Sequence, residues 1–242
     1  MPTDPTVLLL GATGRTGGRV LRQLLDRGVR VRAIVRSRAK LPAGVVESPG
    51  LTVVEASLLS LSDDELERHV RECDAVVSCL GHVLDLRGIF GPPRDLVTQA
   101  VRRVCRAIHA TAPAAPTKLV LMSSVSVNRP KRLDARRGTI ERALLRALRG
   151  VVPPPADNQR AADFLVAHVG PDDPDVQWVV IRPDSLLEGE VSEYVVHEGI
   201  VNSLFSPGSS NMANVAHFMC ELVTKPETWR EWRSKMPVVV NA

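Results

Sequence analysis

Gly11, Gly14 and Gly17 recur at every third position in Gly11-Ala12-Thr13-Gly14-Arg15-Thr16-Gly17. Glycine does no acid–base chemistry. Its use is to clear side chains from a backbone that a phosphate must approach. Gly11 permits a tight turn, Gly14 lets a pyrophosphate reach the backbone, and Gly17 lets a helix pack closely on a strand. Thr13 and Thr16 belong to the same candidate set. Arg36 stands about 20 positions on, where an NAD site carries an acidic residue for the ribose hydroxyls. A guanidinium there pairs instead with a 2′-phosphate, and Arg15, inside the glycine turn, reaches it from the other side. These charges predict NADP(H) rather than NAD(H). The alternative is that Arg36 and Arg38 are a solvated loop.

The elements around these residues follow from apolar patterning. Val7 to Leu10 is a short apolar run read as a buried strand, and Arg19 to Arg27 has Val20, Leu21, Leu24 and Leu25 on one helical face. Strand, glycine turn and helix form the context that a dinucleotide-binding fingerprint requires. Further strands are expected at Val29–Arg36, Leu51–Glu55, Asp74–Gly81, Lys118–Ser124 and Val176–Pro183. Helices are expected at Leu61–Glu72, with Ser62 and Glu65 as a capping box, and at 94–112, 156–169, 211–224 and 226–235. Leu58 follows the third strand, where an adenine ring would lie. Leu80 and Gly81 end the fourth, and Ser123 and Ser124 end the fifth. In an open parallel sheet, ligands bind at the carboxyl ends of the strands, so one crevice accounts for the glycine turn, Arg36, Gly81 and the paired serines. The loop 82–93, with Gly88, Gly91, Pro92 and Pro93, is either a lid or a connection. The 202–210 stretch, rich in Gly, Ser and Pro, reads as an ordered loop.

The 242 residues suit one α/β domain, 1–242, doubly wound and three-layered, with substrate-side elements from about 183 to 235. Apolar residues make up 44% and aromatics only 3%, so aliphatic side chains must fill the core. The net charge of +4 is local: positions 129–149 hold eight basic residues against two acidic ones. Ile140, Leu144, Leu145 and Leu148 recur there at helical spacing, predicting an amphipathic helix with an arginine-rich outer face, closed by Pro153-Pro154-Pro155. A solvated surface or a contact with a protein partner or second copy fits this segment. Nucleic-acid binding lacks interleaved aromatics. Four cysteines without CxxC spacing imply reduced thiols and a cytoplasmic protein. No apolar run reaches the ~20 residues of a membrane span, no signal peptide is visible, and the histidines lack metal-ligand spacing.

The glycine turn, Val35-Arg36, Met122-Ser123-Ser124 and Ile181-Arg182-Pro183-Asp184 resemble atypical short-chain dehydrogenases/reductases, within the NAD(P)H-binding, NmrA-like group that includes flavin reductases. The resemblance extends over nearly the whole chain. It implies a doubly wound Rossmann fold and hydride transfer from NADP(H) to a small flavin-, quinone- or carbonyl-like acceptor, or a non-catalytic redox sensor or scaffold. The family's fully active members use a Tyr-x-x-x-Lys pair after the fifth strand, the Tyr relaying a proton. Here the single tyrosine, Tyr194, follows the sixth strand and has no Lys four residues on. Flavin-reductase-like members use a serine after the fifth strand and a histidine on the next helix. Ser124 matches the serine. Asn158 stands where the histidine would be, and its amide donates a hydrogen bond but no proton.

Overall fold

The computed structural model describes residues 5–82, 91–130, 134 and 137–242. Strands are β1 (Thr6–Leu10), β2 (Arg30–Val35), β3 (Leu51–Glu55), β4 (Ala75–Ser78), β5 (Thr117–Met122), β6 (Val176–Pro183), β7 (Ser185–Leu187), β8 (Tyr194–His197), β9 (Ser209–Asn211) and β10 (Val238–Asn241). Helices, among the described residues, are α1 (Arg15–Asp26), α2 (Asp63–Val70), α3 (Leu96–Thr111), α4 (Thr139–Val151), α5 (Pro153–Phe164), α6 (Met212–Thr224) and α7 (Pro226–Trp232). A π-turn, Leu165–Val169, extends α5.

Eight strands form one sheet in the order β3-β2-β1-β4-β5-β6-β10-β8. All neighbours are parallel except β10 and β8. The order reverses beside β1, between the crossovers that run to β2 and to β4, which makes the carboxyl ends of β1 and β4 the crevice of the sheet. β7 and β9 pair in a separate two-stranded ribbon.

Period-2 alternation divides the strands between two cores. Val7 and Leu9 of β1 join α1 and α6 through Val20, Leu21, Leu24, Val215 and Met219. Leu8 and Leu10 face the other way, toward Leu66 of α2, Val101 and Ile108 of α3, and Ala161 of α5. Both faces of β1 are therefore covered, which is why it reads as a continuous apolar run.

Three expectations need correction. Helix α1 starts at Arg15, four residues before the expected start at Arg19, so Gly17 and Gly18 are helical. The strands β7, β8 and β9 are additions that the apolar pattern did not indicate. And α4 does not bury its apolar face behind an arginine-rich outer one: of its three arginines only Arg146 stands in solvent. Ile140 (74% exposed), Leu144 (50%), Leu148 (40%) and Val151 (73%) stand in solvent, and Leu145 alone of the apolar set is buried. Arg137, Arg142 and Arg149 instead donate inward to the carbonyls of Val125, Asp134 and Ser126. Buried backbone carbonyls need donors, and guanidiniums with long apolar stems supply them. The segment's Lys131, Arg132 and Arg136 lie outside the described residues, as do positions 83–90 of the 82–93 loop.

Candidate functional site

The glycine turn is built by close backbone contact. Gly11 sits at φ +82°, and a Cβ there would fall 2.6 Å from the Cys79 carbonyl oxygen. A Cβ at Gly17 would fall 2.1 Å from the Gly11 carbonyl oxygen. No side chain could occupy either space, so the turn presses against β4 and α1 packs onto the turn. Gly14 caps α1 without any side-chain hydrogen bond, and the first turn carries no acidic residue. The helix thus presents free N–H groups and the positive end of its dipole to the mouth of the turn.

A cleft of about 620 Å³ opens from this mouth. It brings together seven of the candidate residues: Gly11, Thr13, Gly14, Arg36, Leu58, Leu80 and Gly81. Lys40, which the sequence reading did not single out, adds a second cation beside Arg36. Ala56, Ser57 and Leu59 continue the wall around Leu58, and Pro92, Pro93 and Leu96 close the far side. An elongated cleft with a cradle that only glycine fits, cations at one end and apolar walls matches a dinucleotide's shape and charge.

The remaining candidates lie around this cleft. Thr16 and Gly17 are buried in the first turn of α1. Arg15 is turned away: its guanidinium is 3.7 Å from Glu188, which also pairs with Arg19. A second groove of about 720 Å³ runs along that outer face of α1, past Arg19, Arg22 and Arg27, and meets the first at Thr13, Gly14 and Lys40. Ser123 ends β5 buried, and its hydroxyl has no hydrogen-bond partner among the described residues. The same holds for Ser78 at the end of β4. Ser124 shares a 2.6 Å hydrogen bond with the Ser126 hydroxyl and accepts from the Ser126 N–H. Asn158 is half-buried on α5.

Next to Asn158 the structure shows a pair that the sequence reading missed. The Asp157 carboxylate is fully buried and lies 2.9 Å from His82 Nε2. It also accepts from the Val97 and Thr98 N–H groups and the Thr98 hydroxyl, at 2.8, 3.0 and 2.6 Å. Asp157 therefore caps α3 from a neighbouring helix while holding the imidazole one residue past Gly81. Only the missing histidine at position 158 hinted at this corner. Nothing in the spacing pointed 76 positions upstream.

Tyr194 is placed far from this chemistry. It lies on β8, at the sheet edge, three strands from β5. Its hydroxyl bonds His217 Nδ1 at 2.8 Å, and burial pushes its pKa up to about 12. All four cysteines are free and buried. Burial pushes Cys105 up to about 12, a thiol poorly suited to nucleophilic work. Three groups spread along the sequence do come near one another: ligand atoms of His109, Asp173 and Asp175 lie within 4.8 Å. Asp173 there accepts from the Asp175 and Val176 N–H groups, so it already serves as a loop cap.

A family model described as NAD(P)H-binding matches residues 11–226. The chain belongs to this NAD(P)H-binding family. An Arabidopsis thaliana relative, described as an uncharacterized chloroplastic protein, is 29% identical over 218 residues, 84% of this chain and 73% of that protein. A solved protein from Lactobacillus casei superposes with a TM-score of 0.71 at 18% identity, covering 98% of this chain and 99% of the other. ChuY, an anaerobillin reductase from Escherichia coli O157:H7, superposes with a TM-score of 0.66 at 17% identity, over 98% and 97% of the two chains. At these identities the structural likeness establishes the Rossmann-type α/β fold. No helix among the described residues is long and apolar enough to cross a membrane.

Proposed function

We propose that this protein is an NADPH-dependent reductase that transfers hydride to a small flavin-, quinone- or carbonyl-like acceptor without a Tyr-Lys pair. The observation that supports it most directly is the cleft that gathers the glycine cradle, Arg36, Lys40 and the wall around Leu58. Two cations and no carboxylate line the cleft where a ribose 2′-substituent would lie, and this favours the phosphorylated cofactor. The bound nicotinamide supplies the hydride. The protein's own residues hold and orient: Gly11, Thr13, Gly14, Thr16 and Gly17 for the pyrophosphate, Arg36 for the 2′-phosphate, Leu80, Gly81 and Ser123 for the nicotinamide end. Arg15 joins the phosphate set when it leaves Glu188. Ser124 and Asn158 hydrogen-bond the acceptor, and His82, oriented by Asp157, brings to that corner the imidazole that position 158 lacks. Positioning then carries most of the rate. The chain works as one unit with its acceptor side built from about 183 to 235, and four buried free thiols support a reducing compartment such as the cytoplasm.

The second reading, a non-catalytic NADP(H) sensor or scaffold, is favoured by one observation: the apolar stripe of α4 stands in solvent, as a protein contact or self-association would require. Inward-turned arginines make nucleic acid a poor partner for this segment.

The test is equilibrium binding. NADPH binds more tightly than NADH, by roughly 10–100-fold for a charge-assisted pair, and Arg36→Ala removes most of the difference. Equal affinities in the unaltered protein would overturn the cofactor assignment. Following the nicotinamide absorbance with flavins and quinones separates the two readings: turnover supports the reductase, and bound NADPH without any turnover supports the sensor.

A further inference from the structure

Under α4 lies a cluster in which guanidiniums outnumber carboxylates. Glu198 pairs with Arg129 from the outside, and at the centre Arg129, Arg137, Arg142, Arg149 and Arg182 share Asp134 and Glu141. Both carboxylates are committed. Asp134 accepts from Arg182 at 2.8 and 3.2 Å, and from the N–H and Nε of Arg129 at 2.7 and 3.2 Å. Glu141 accepts from the Ser203 hydroxyl at 2.5 Å and the Leu204 N–H at 2.8 Å. Among the described residues neither Arg137 nor Arg149 is hydrogen-bonded to a carboxylate, although the charges of Asp134 and Glu141 reach Arg137 and that of Asp163 reaches Arg149.

Each of these two is anchored by a single hydrogen-bonded contact, Arg137 to the Val125 carbonyl and Arg149 to the Ser126 carbonyl. Those are consecutive peptides, and the charge of Arg149 acts on Arg137. Arg137 is 96% buried, being 4% exposed, yet its Nε and Nη1 have no hydrogen-bond partner among the described residues, and neither has the buried Nε of Arg149. Burial lowers the pKa of both; Asp134 and Glu141 offset this in part at Arg137, as Asp163 does at Arg149, while the neighbouring guanidiniums add to the lowering. Buried, charged, unpaired donors are the costliest groups that a fold can keep, and such groups persist where a partner completes them. Their position is informative. Residues 123–126 continue directly from the carboxyl end of β5, the sheet edge that carries the cofactor cleft, and the neighbouring Ser123 hydroxyl is also unpartnered.

We infer that Arg137 and Arg149 form a seat for an oxyanion at the end of β5, so that the acceptor carries a carboxylate or phosphate group. The assignment of this oxyanion to an acceptor rests on the reductase reading; the seat itself does not. The free groups, Nε and Nη1 of Arg137 and Nε of Arg149, are charge-assisted donors that suit the oxygens of a carboxylate or of a phosphate. With the ring of the acceptor beside the nicotinamide and its anion held by α4, the seat fixes which way round the acceptor lies.

The experiment titrates protein saturated with NADP⁺, which fills the other phosphate sites. Inorganic phosphate and acetate are added at constant ionic strength against chloride, and the thermal midpoint is followed. A saturable rise with phosphate, acetate or both is expected, the stronger of the two naming the group. Arg149→Gln, at a half-buried position that the fold tolerates better than Arg137, weakens this binding at least tenfold. Flavin mononucleotide binds at least tenfold more tightly than riboflavin if phosphate is preferred, and 1,4-naphthoquinone-2-carboxylate more tightly than 1,4-naphthoquinone if acetate is. No saturable response to either anion, or the same response in Arg149→Gln, overturns the seat. Anion binding without turnover of any acceptor keeps the seat and removes the reductase reading. Turnover without anion binding does the reverse.

Discussion

The glycine turn at Gly11–Gly17 and the arginine-rich segment at 129–151 are the two most strongly patterned stretches of this chain, and they behave oppositely. In the turn, pattern and structure agree because the constraint is local. A Cβ at Gly11 or Gly17 would overlap backbone only a few residues away or in the adjoining strand. In the segment, the apolar period of α4 is real, but the side it faces is decided by what surrounds it. Asp134 and the Val125 and Ser126 carbonyls capture guanidiniums, and the helix turns Ile140, Leu144 and Leu148 outward. A pattern whose partners are backbone neighbours is self-interpreting. A pattern whose partners lie elsewhere in the fold is not.

Four substitutions test this contrast. The largest effect belongs to the turn. Gly17→Ala sets a methyl 2.1 Å from the Gly11 carbonyl oxygen, and nicotinamide dinucleotide binding falls at least ~100-fold or the chain fails to fold; calorimetry with a circular dichroism control reads which. Binding within threefold of the unaltered protein would show that the turn opens freely.

Next is the buried pair under α4. Arg182 is fully buried and Asp134 nearly so. Burial by itself raises the Asp134 pKa, but the hydrogen bonds and charge of Arg182 outweigh it and hold the carboxyl below its ordinary value. A depressed carboxylate stabilises the fold fully above its unfolded pKa of about 4 and loses that contribution as pH falls through the folded value. Asp134→Asn leaves Arg182 uncompensated and costs about 3–5 kcal/mol at pH 7. Urea midpoints of this variant and the parent should converge as the pH drops below 4. A difference independent of pH would assign the loss to packing.

The smallest effects separate two adjacent leucines. Leu145→Ala removes the one buried apolar side chain of α4 and costs about 2–5 kcal/mol. Leu144→Ser, at a half-exposed position, changes stability by no more than about 0.5 kcal/mol. Chemical denaturation measures both. Equal losses would mean that the stripe of Ile140, Leu144 and Leu148 is covered in solution, which would favour self-association.

Much of the fold was legible in the sequence. Strands β1 to β6 lie within about three residues of their apolar runs, because parallel strands covered on both faces must be apolar throughout. The capping box at Ser62 and Glu65 forms as its spacing predicts. The three-residue strands β7 and β9 were not legible: Ser185–Leu187 and Ser209–Asn211 are too short and polar to carry a period. Of the candidate site, Gly11, Thr13, Gly14, Arg36, Leu58, Leu80 and Gly81 reached one cleft, since each follows the carboxyl end of a parallel strand and topology assembles them. Arg15 was placed with the phosphate set by its position in the turn, and in the structure Glu188, 173 positions away, holds it.

The sequence by itself determined that a glycine cradle lies between a buried strand and a helix, and that a cation rather than a carboxylate follows the second strand. Those properties follow from sterics and charge within a few residues. Tertiary structure alone decided that His82 meets Asp157, that α4 exposes Leu144 and Leu148, and that Arg137 and Arg149 keep unpartnered N–H donors beside the end of β5. Each depends on a contact between segments far apart in the chain, where hydrogen-bond satisfaction in the buried interior outweighs the local preference for burying an apolar face.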